Sequence, residues 1–257
     1  MTERRPDDIA TLTVMRGEMD LLANLIPKLG FAAERHVVDT SDEHLDFDAF
    51  PDAIFHRYPL HLGQSFDAAR SVALPHIRSE WVLIVDTDES IPSELVDLLR
   101  SKMSEFNSSG VQGVWIPRQN HVLRTAIRYS SAWPDFQLRF IRRDALSFSN
   151  RLHGAIVPVD RHIYLGADPA IAIQHQNFPS TKAFVDKINL YTSIEVDQIE
   201  TDEIASVGSA LLRAGREFLT RYVKMRGYRD GAHGLHFAVM MAFYRYLIAA
   251  KLWERDQ

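Results

Sequence analysis

The sequence predicts an α/β fold, a mixed sheet followed by a C-terminal helical extension, and three observations carry that prediction. Strand-like and helix-like runs alternate through the first half of the chain. The run Trp81-Val82-Leu83-Ile84-Val85 has the length and β-branched content of a strand buried on both faces, as in a parallel sheet. From Ser180 onward the apolar spacing is helical almost to the end. A chain of 257 residues accommodates one large α/β domain, or a domain with a helical appendage. The expected division is 1–179 for the α/β domain and 180–257 for the extension.

Ala10 to Met15 reads as the first strand, and Arg16-Gly17-Glu18 as a turn. Leu21, Leu22, Leu25, Ile26 and Leu29 follow at helical spacing, stopped by Gly30. Glu34 to Val38 is a second strand that runs into Asp39-Thr40-Ser41-Asp42-Glu43. This β-α-β unit lacks a G-x-G-x-x-G turn, which disfavours a dinucleotide cofactor. Ala53 to Tyr58 is a third strand, and Ser65 to Ile77 a helix with Phe66, Ala69, Val72, Ala73 and Ile77 facing inward. The apolar strand follows, then a helix to about Met103, with Ser90 or Ser93 as its expected cap. Gly113 to Pro117 is a strand, and Arg118 to Tyr129 a polar, basic segment. Trp133 to Phe140 alternates polar and apolar, a half-buried strand. Short strands at Ala155 to Val159 and Ala170 to His175 are expected to run antiparallel to the core. Helices are expected over 181–204, 207–226 and 234–254, the last two joined by the turn Arg226-Gly227-Tyr228-Arg229-Asp230-Gly231.

Composition excludes several classes. A net charge of −5 gives no global attraction to nucleic acid. The absence of cysteine excludes disulfides and thiolate zinc sites and fits a reducing compartment. The opening MTERRPDDIA has no apolar core of the signal-peptide kind. Leu235 to Ala250 is interrupted by His236 and Arg245 and reads as short for a membrane span. A cytoplasmic protein is therefore expected.

The chemistry gathers where the apolar strand ends, in Asp86-Thr87-Asp88-Glu89. Open α/β sheets place ligands at the carboxyl ends of their strands. Acids beside a buried strand are costly unless something cationic pairs with them. Asp86 and Asp88 lie two apart, close enough to reach one hard divalent ion together with a bound phosphate.

The order of motifs along the chain resembles the family-two glycosyltransferases of the GT-A fold, a Rossmann-like fold of nucleotide-diphospho-sugar transferases. The branch that it resembles makes lipopolysaccharide core and related surface glycans. The residues that carry the resemblance are Gly17-Glu18, Val37-Val38-Asp39-Thr40, Arg70-Ser71, Trp81 to Glu89, Arg118-Gln119-Asn120, Pro134 to Phe140 with Gln137 and Arg139, and His175. The stretch Arg226 to Gly234 resembles that branch's Gly-x-x-Asp-Gly-x-x-Gly turn. The chain departs from the pattern at Gly17, at Ser71, in the Thr40-Ser41-Asp42-Glu43 loop, and at His153-Gly154, where the family often has His-Glu.

The resemblance implies a metal-dependent inverting transferase. Asp86 and Asp88 would hold manganese or magnesium on the donor diphosphate, with His175 as a further ligand. Glu18, Asp39, Asp42 and Arg70, with Asp86, would meet the nucleotide. Asp135 is the candidate general base and His153 the second; Arg139 would pair with phosphate or with Asp135. Glu18 and Asp42 equally suit turn or helix-end charges. The acceptor would be a glycan or a lipid-linked saccharide. From Leu211 to Arg229 six basic residues surround Phe218 and Tyr222, which suits peripheral contact with the inner membrane surface or pairing of two copies through the C-terminal helices. Two other readings use the same residues. Asp86 and Asp88 resemble the nucleophile and acid of haloacid-dehalogenase-type phosphatases, although no later acidic pair is evident. A degenerate transferase domain acting as a binding module is the other.

Overall fold

The computed structural model describes residues 5–60, 66–148, 156–157, 159–199 and 207–255, the side chains of 5–7, 67, 198 and 207 excepted. Within it the chain divides into two compact units: Met1–Arg118 with Phe136–Gln174, and Gln119–Asp135 with His175–Gln257.

The first unit is built on a mixed sheet. Its parallel part comprises β1 (Arg5–Met15), β2 (Glu34–Asp39), β3 (Ile54–Arg57) and β4 (Ser79–Ile84). The remaining strands are β5 (Glu89–Ser90), β6 (Gly113–Val122), β7 (Thr125–Ala126), β8 (Asp135–Arg142), β9 (His162–Tyr164) and β10 (Ile173–Phe178), of which β7 and most of β10 belong to the second unit. The sheet order is β3-β2-β1-β4-β8-β6-β10-β5, with β7 and β9 each pairing with β6. β8 runs antiparallel to β4, with Trp81 opposite Arg142 and Leu83 opposite Phe140. β9, a strand that the sequence pattern does not predict, runs parallel to β6. This is the Rossmann-like mixed sheet with a C-terminal helical extension that the sequence predicts.

β4 is buried on both faces, and its alternation shows why. Trp81, Leu83 and Val85 enter one core cluster, with Leu95, Leu99 and Phe140. Val82 and Ile84 enter another, with Leu12, Val38 and Ile141. Trp81 stacks on Phe140 at 4.6 Å between ring centroids. A strand with no solvated face needs no polar alternation, hence the unbroken apolar run.

The helices correct several expected boundaries. α1 (Met19–Leu25) gives way to a 3-10 turn over Ile26–Leu29, with Pro27 in its first turn. The helix expected over 65–77 is α2 (Phe66–Ser71) and a separate 3-10 turn Leu74–His76, again with Pro75 at its start. α3 (Ser93–Ser109) runs a turn and a half beyond the expected end, to a left-handed Gly110 with φ 72°. Its N-cap is Pro92, with no side-chain cap, so neither Ser90 nor Ser93 plays that part. β6 extends to Val122, into the segment read as polar and basic, where Arg118 and His121 are half-buried and Gln119, Asn120 and Val122 are buried.

The second unit contains α4 (Thr181–Gln198), α5 (Val207–Leu219) and α6 (Gly231–Arg255). Ser180 caps α4 by accepting from the Ala183 amide at 3.1 Å. A π turn, Thr220–Lys224, continues α5. Phe237 and Met240 of α6 pack with Phe184 and Ile188 of α4 and with Ile127 and Ala132, while Ile248 and Leu252 pack with Val196 and Ala210. The Gly-x-x-Asp-Gly-x-x-Gly turn acquires a structural purpose here. A Cβ at Gly234 would overlap the Gly227 carbonyl oxygen, so only glycine allows the turn to close on α6. Gly231, at φ 62° and ψ −138°, holds a conformation open essentially to glycine alone. Between them Asp230 accepts from the backbone amides of Arg128 (3.2 Å) and Tyr129 (2.8 Å), tying 119–135 to the helices. The apolar stretch Leu235 to Ala250 lies inside a longer helical run. The helical run Gly227–Arg255, 29 residues, is long and apolar enough to cross a bilayer by length and composition, and 33% of its apolar window is buried.

Candidate functional site at the carboxyl edge of the sheet

Strand order places the site. In β3-β2-β1-β4 the order reverses between β1 and β4, and such switch points open a crevice outside the carboxyl ends of the strands. The first four strands are parallel, so their carboxyl ends share one edge. Gly17 and Glu18 follow β1, Asp39 ends β2, Arg57 ends β3, and Asp86 to Glu89 follow β4.

After Ile84 the chain leaves the strand, so Asp86, Thr87 and Asp88 form a tight turn and not an extended ladder. The turn is closed by Glu89. Its amide donates to the Asp86 carbonyl at 3.0 Å, and its carboxylate accepts from the Asp86 amide at 3.0 Å. Three arginines from distant segments compensate the acids. Arg70, on α2, donates to Asp86 Oδ1 at 2.7 Å, and Arg139, on β8, to Asp86 Oδ2 at 2.5 Å. Arg139 also donates to Glu89 Oε1 at 2.9 Å, and Arg118, on β6, reaches the same oxygen at 3.2 Å. Asp86, Asp88 and Glu89 thus face Arg70, Arg118 and Arg139, a neutral sum. The Glu89 side chain is fully buried, whereas Asp86 keeps 31% exposure and forms the open face.

Burial alone would raise the Asp86 carboxyl. The charges of Arg139 and Arg70, the Arg139 hydrogen bond and the Arg118 charge outweigh it and hold Asp86 far below the usual carboxylate range. Burial alone would lower the Arg139 guanidinium. Asp86 and Glu89, with the charge of Asp88 behind them, raise it above its ordinary value.

The other residues expected at the nucleotide sort unevenly. Asp39 is buried, and its two oxygens accept from the Ser41 amide and hydroxyl, both at 3.0 Å. Arg57 donates to the carbonyls of Asp42 and Glu43 at 3.2 and 3.0 Å, which shapes the loop that Asp39 begins. Asp42 itself is exposed. Glu18 is exposed and accepts from the Arg16 amide at 2.5 Å, a turn contact, without capping α1. Arg139, expected to meet phosphate or Asp135, is the hub of the Asp86–Glu89 network in the structure. His153 and Gly154 lie outside the described residues.

In the second unit, Asp135 and His175 are joined through Asn120. The Asn120 amide donates to Asp135 Oδ2 at 3.0 Å and to the Ala132 carbonyl at 3.3 Å. Two acceptors on one side fix which end of the amide is nitrogen. Its oxygen therefore accepts from His175 Nδ1–H at 2.7 Å. His175 is buried within β10, not at its end as the sequence pattern placed it.

Glu89, Arg118 and Asn120 are the site residues that motif reading passes over. Each stands inside a quoted motif, but only the fold shows what each touches.

Among the described residues no group of three or more histidine and acidic side chains is gathered as a metal cage. Asp86 already accepts an arginine on each oxygen. A divalent ion there would have to share the Asp86 oxygens with two guanidinium groups and draw further ligands from a bound phosphate.

No family model and no curated protein matches the sequence. Among solved structures, S. aureus TarS 1-349 is similar with a TM-score of 0.45 at 13% identity, covering 97% of this chain and 92% of that one. The same TarS fragment in complex with UDP-GlcNAc gives 0.46 at 12% identity, covering 97% and 91%. The bifunctional IspDF from Campylobacter jejuni gives 0.45 at 11% identity, covering 68% and 54%. These are distant likenesses, and they assign no chemistry to this chain.

Proposed function

We propose that the protein is an inverting glycosyltransferase that takes a sugar from a nucleotide-diphosphate donor to a saccharide or lipid-linked glycan acceptor of the lipopolysaccharide or surface-glycan kind. The observation that carries the proposal is the constellation at the β1/β4 switch point. An aspartate ends β2, and an acid–arginine network whose Asp86 carboxylate is part-exposed follows β4. In this account 1–179 supplies the catalytic domain, 180–257 an extension for acceptor contacts, and the protein works in the cytoplasm.

Asp39 meets the base or ribose of the donor. Arg70 and Arg139 hold Asp86 in one orientation and place their own charge next to the diphosphate. A divalent ion, manganese or magnesium, when bound with the donor, supplies Lewis-acid charge to the leaving diphosphate. Asp86 and Asp88 would hold it, and His175 is carried as a further ligand from the sequence resemblance alone. The acceptor oxygen bonds to the anomeric carbon as the bond to the diphosphate breaks, and the acceptor proton passes to Asp135, with His153 as the second candidate base. Against a phosphatase that uses Asp86 as nucleophile stands the double guanidinium pairing of that carboxylate, which lowers its nucleophilicity.

A thermal-shift screen of nucleotide sugars with manganese tests the proposal, because a ligand at about a hundred times its Kd stabilises by about 2.7 kcal/mol. One nucleotide sugar should raise the melting temperature of the wild type and not of Asp39→Ala. A flat response to every nucleotide sugar would remove the donor class.

A further inference from the structure

Helix α5 and the π turn that continues it carry an apolar stripe that other described residues leave uncovered. Leu211, Leu212, Leu219 and Val223 are 59%, 76%, 59% and 57% exposed. Positions 211, 215, 219 and 223 follow one another at intervals of four, so they lie along one face. Gly215, the gap in that row, has nothing within 4 Å of where its Cβ would be. The opposite face is the packed one: Ala210 is buried with Ile248 and Ala249 of α6, and Arg221 engages Glu217 at 2.5 Å and stands over the Phe237 ring. Leu211, Leu212, Gly215 and Leu219 line a surface groove of about 470 Å³ together with Arg216 and Lys224. Exposed leucines in a contiguous row mark an interaction surface more than scattered ones do.

Charge decides what covers it. The whole chain carries −5, yet Leu211 to Arg229 holds six basic residues and a single acid, Glu217, which is already paired with Arg221. Arg213, Arg216, Lys224, Arg226 and Arg229 are exposed, and Arg216 and Lys224 line the groove with the leucines. A second copy would meet this surface with the same surface, and a twofold contact would set these cations against each other. An anionic bilayer answers both features. The leucines enter the boundary between headgroups and acyl chains, and the cations pair with lipid phosphates.

We propose that α5 docks on an anionic lipid surface, with Leu211, Leu212, Leu219 and Val223 immersed and Arg216 and Lys224 at the phosphates. The proposal stands independently of the transferase chemistry, because none of these residues belongs to the sheet-edge site.

Cosedimentation of the full chain with vesicles of phosphatidylcholine alone, or containing about one-third phosphatidylglycerol, tests it. The wild type should sediment with the anionic vesicles and not with the neutral ones. Arg216→Gln and Lys224→Gln should each weaken that binding about fivefold. The double variant Leu212→Glu/Leu219→Glu should lose it while melting within about 2 °C of wild type, since both positions are exposed. Equal binding to both vesicle types, or binding unchanged by these variants, overturns the proposal. So does a wild-type dimer in sedimentation equilibrium that the double leucine variant converts to monomer without any vesicle effect, which would give the stripe to a second copy.

Discussion

Glu89 shows how much a single buried carboxylate organises. It closes the Asp86 turn through the backbone and presents one oxygen to both Arg139 and Arg118. That acids at this strand end need cations is legible from Asp86-Thr87-Asp88-Glu89 alone. That the cations are guanidinium groups is not, because Arg70, Arg118 and Arg139 come from three separate elements. Replacing Arg139 with methionine should cost about 3 kcal/mol in urea unfolding, since it strands Asp86 and the buried Glu89 without their shared partner. The pairing of Asp86 also fixes a pH dependence. Its folded value lies below the unfolded one, so its stabilisation is complete above about pH 4 and is lost as acid protonates it. Asp86→Asn should therefore destabilise at pH 7, and the gap from wild type should shrink steadily between pH 5 and 2 in acid-titrated melts. Asn120 acts on His175 in another way. Asn120→Ala should move His175 from the Nδ1–H toward the Nε2–H tautomer, read directly from its ¹⁵N shifts; an unchanged tautomer would mean that another group sets it.

Between β2 and β3 a histidine cluster sets a second pH response. His36 Nδ1 and His56 Nε2 are 3.0 Å apart, Glu34 holds the other nitrogen of His36 at 3.3 Å, and His76 lies 5.0 Å from His56 between ring centroids. Burial lowers His56 to about 4, helped by the charges that His36 and His76 would carry. Because the unfolded imidazole titrates near 6.5, the unfolded chain binds the extra proton first, and stability falls as pH drops from about 6.5 to 4. His56→Gln should flatten that slope by about 1 kcal/mol, a figure reduced for partial solvent screening. The glycine turn before α6 makes a sharper prediction. Gly234→Ala should cost more than about 3 kcal/mol or block folding, because backbone stands where the methyl would go. Element types were legible wherever periodicity was long, as in α3 and α6. Boundaries failed where local chemistry intervened: Pro27 and Pro75 divide expected helices, and Pro92 takes the cap position that the neighbouring serines suggested.

For the whole molecule, the sequence made the α/β class and the carboxyl-edge location legible, since β4 declares itself as buried on both faces and ends in acids. Pairing order was not legible, because side-chain patterns do not encode which strand lies beside which. The order β3-β2-β1-β4 turns an acidic strand end into a switch-point crevice. The grouping of 119–135 with the C-terminal helices was equally hidden, since it depends on Asp230 reaching two amides about a hundred positions away. The central claim is that this crevice binds a nucleoside diphosphate through Asp88 and a divalent ion. Isothermal titration with UDP, with manganese and with EDTA, on wild type and Asp88→Ala, tests it most directly. The account predicts wild-type binding that weakens at least about tenfold on either change, a difference of about 1.4 kcal/mol or more. Wild type that binds no nucleoside diphosphate, or binds one equally well without manganese and without Asp88, would contradict it.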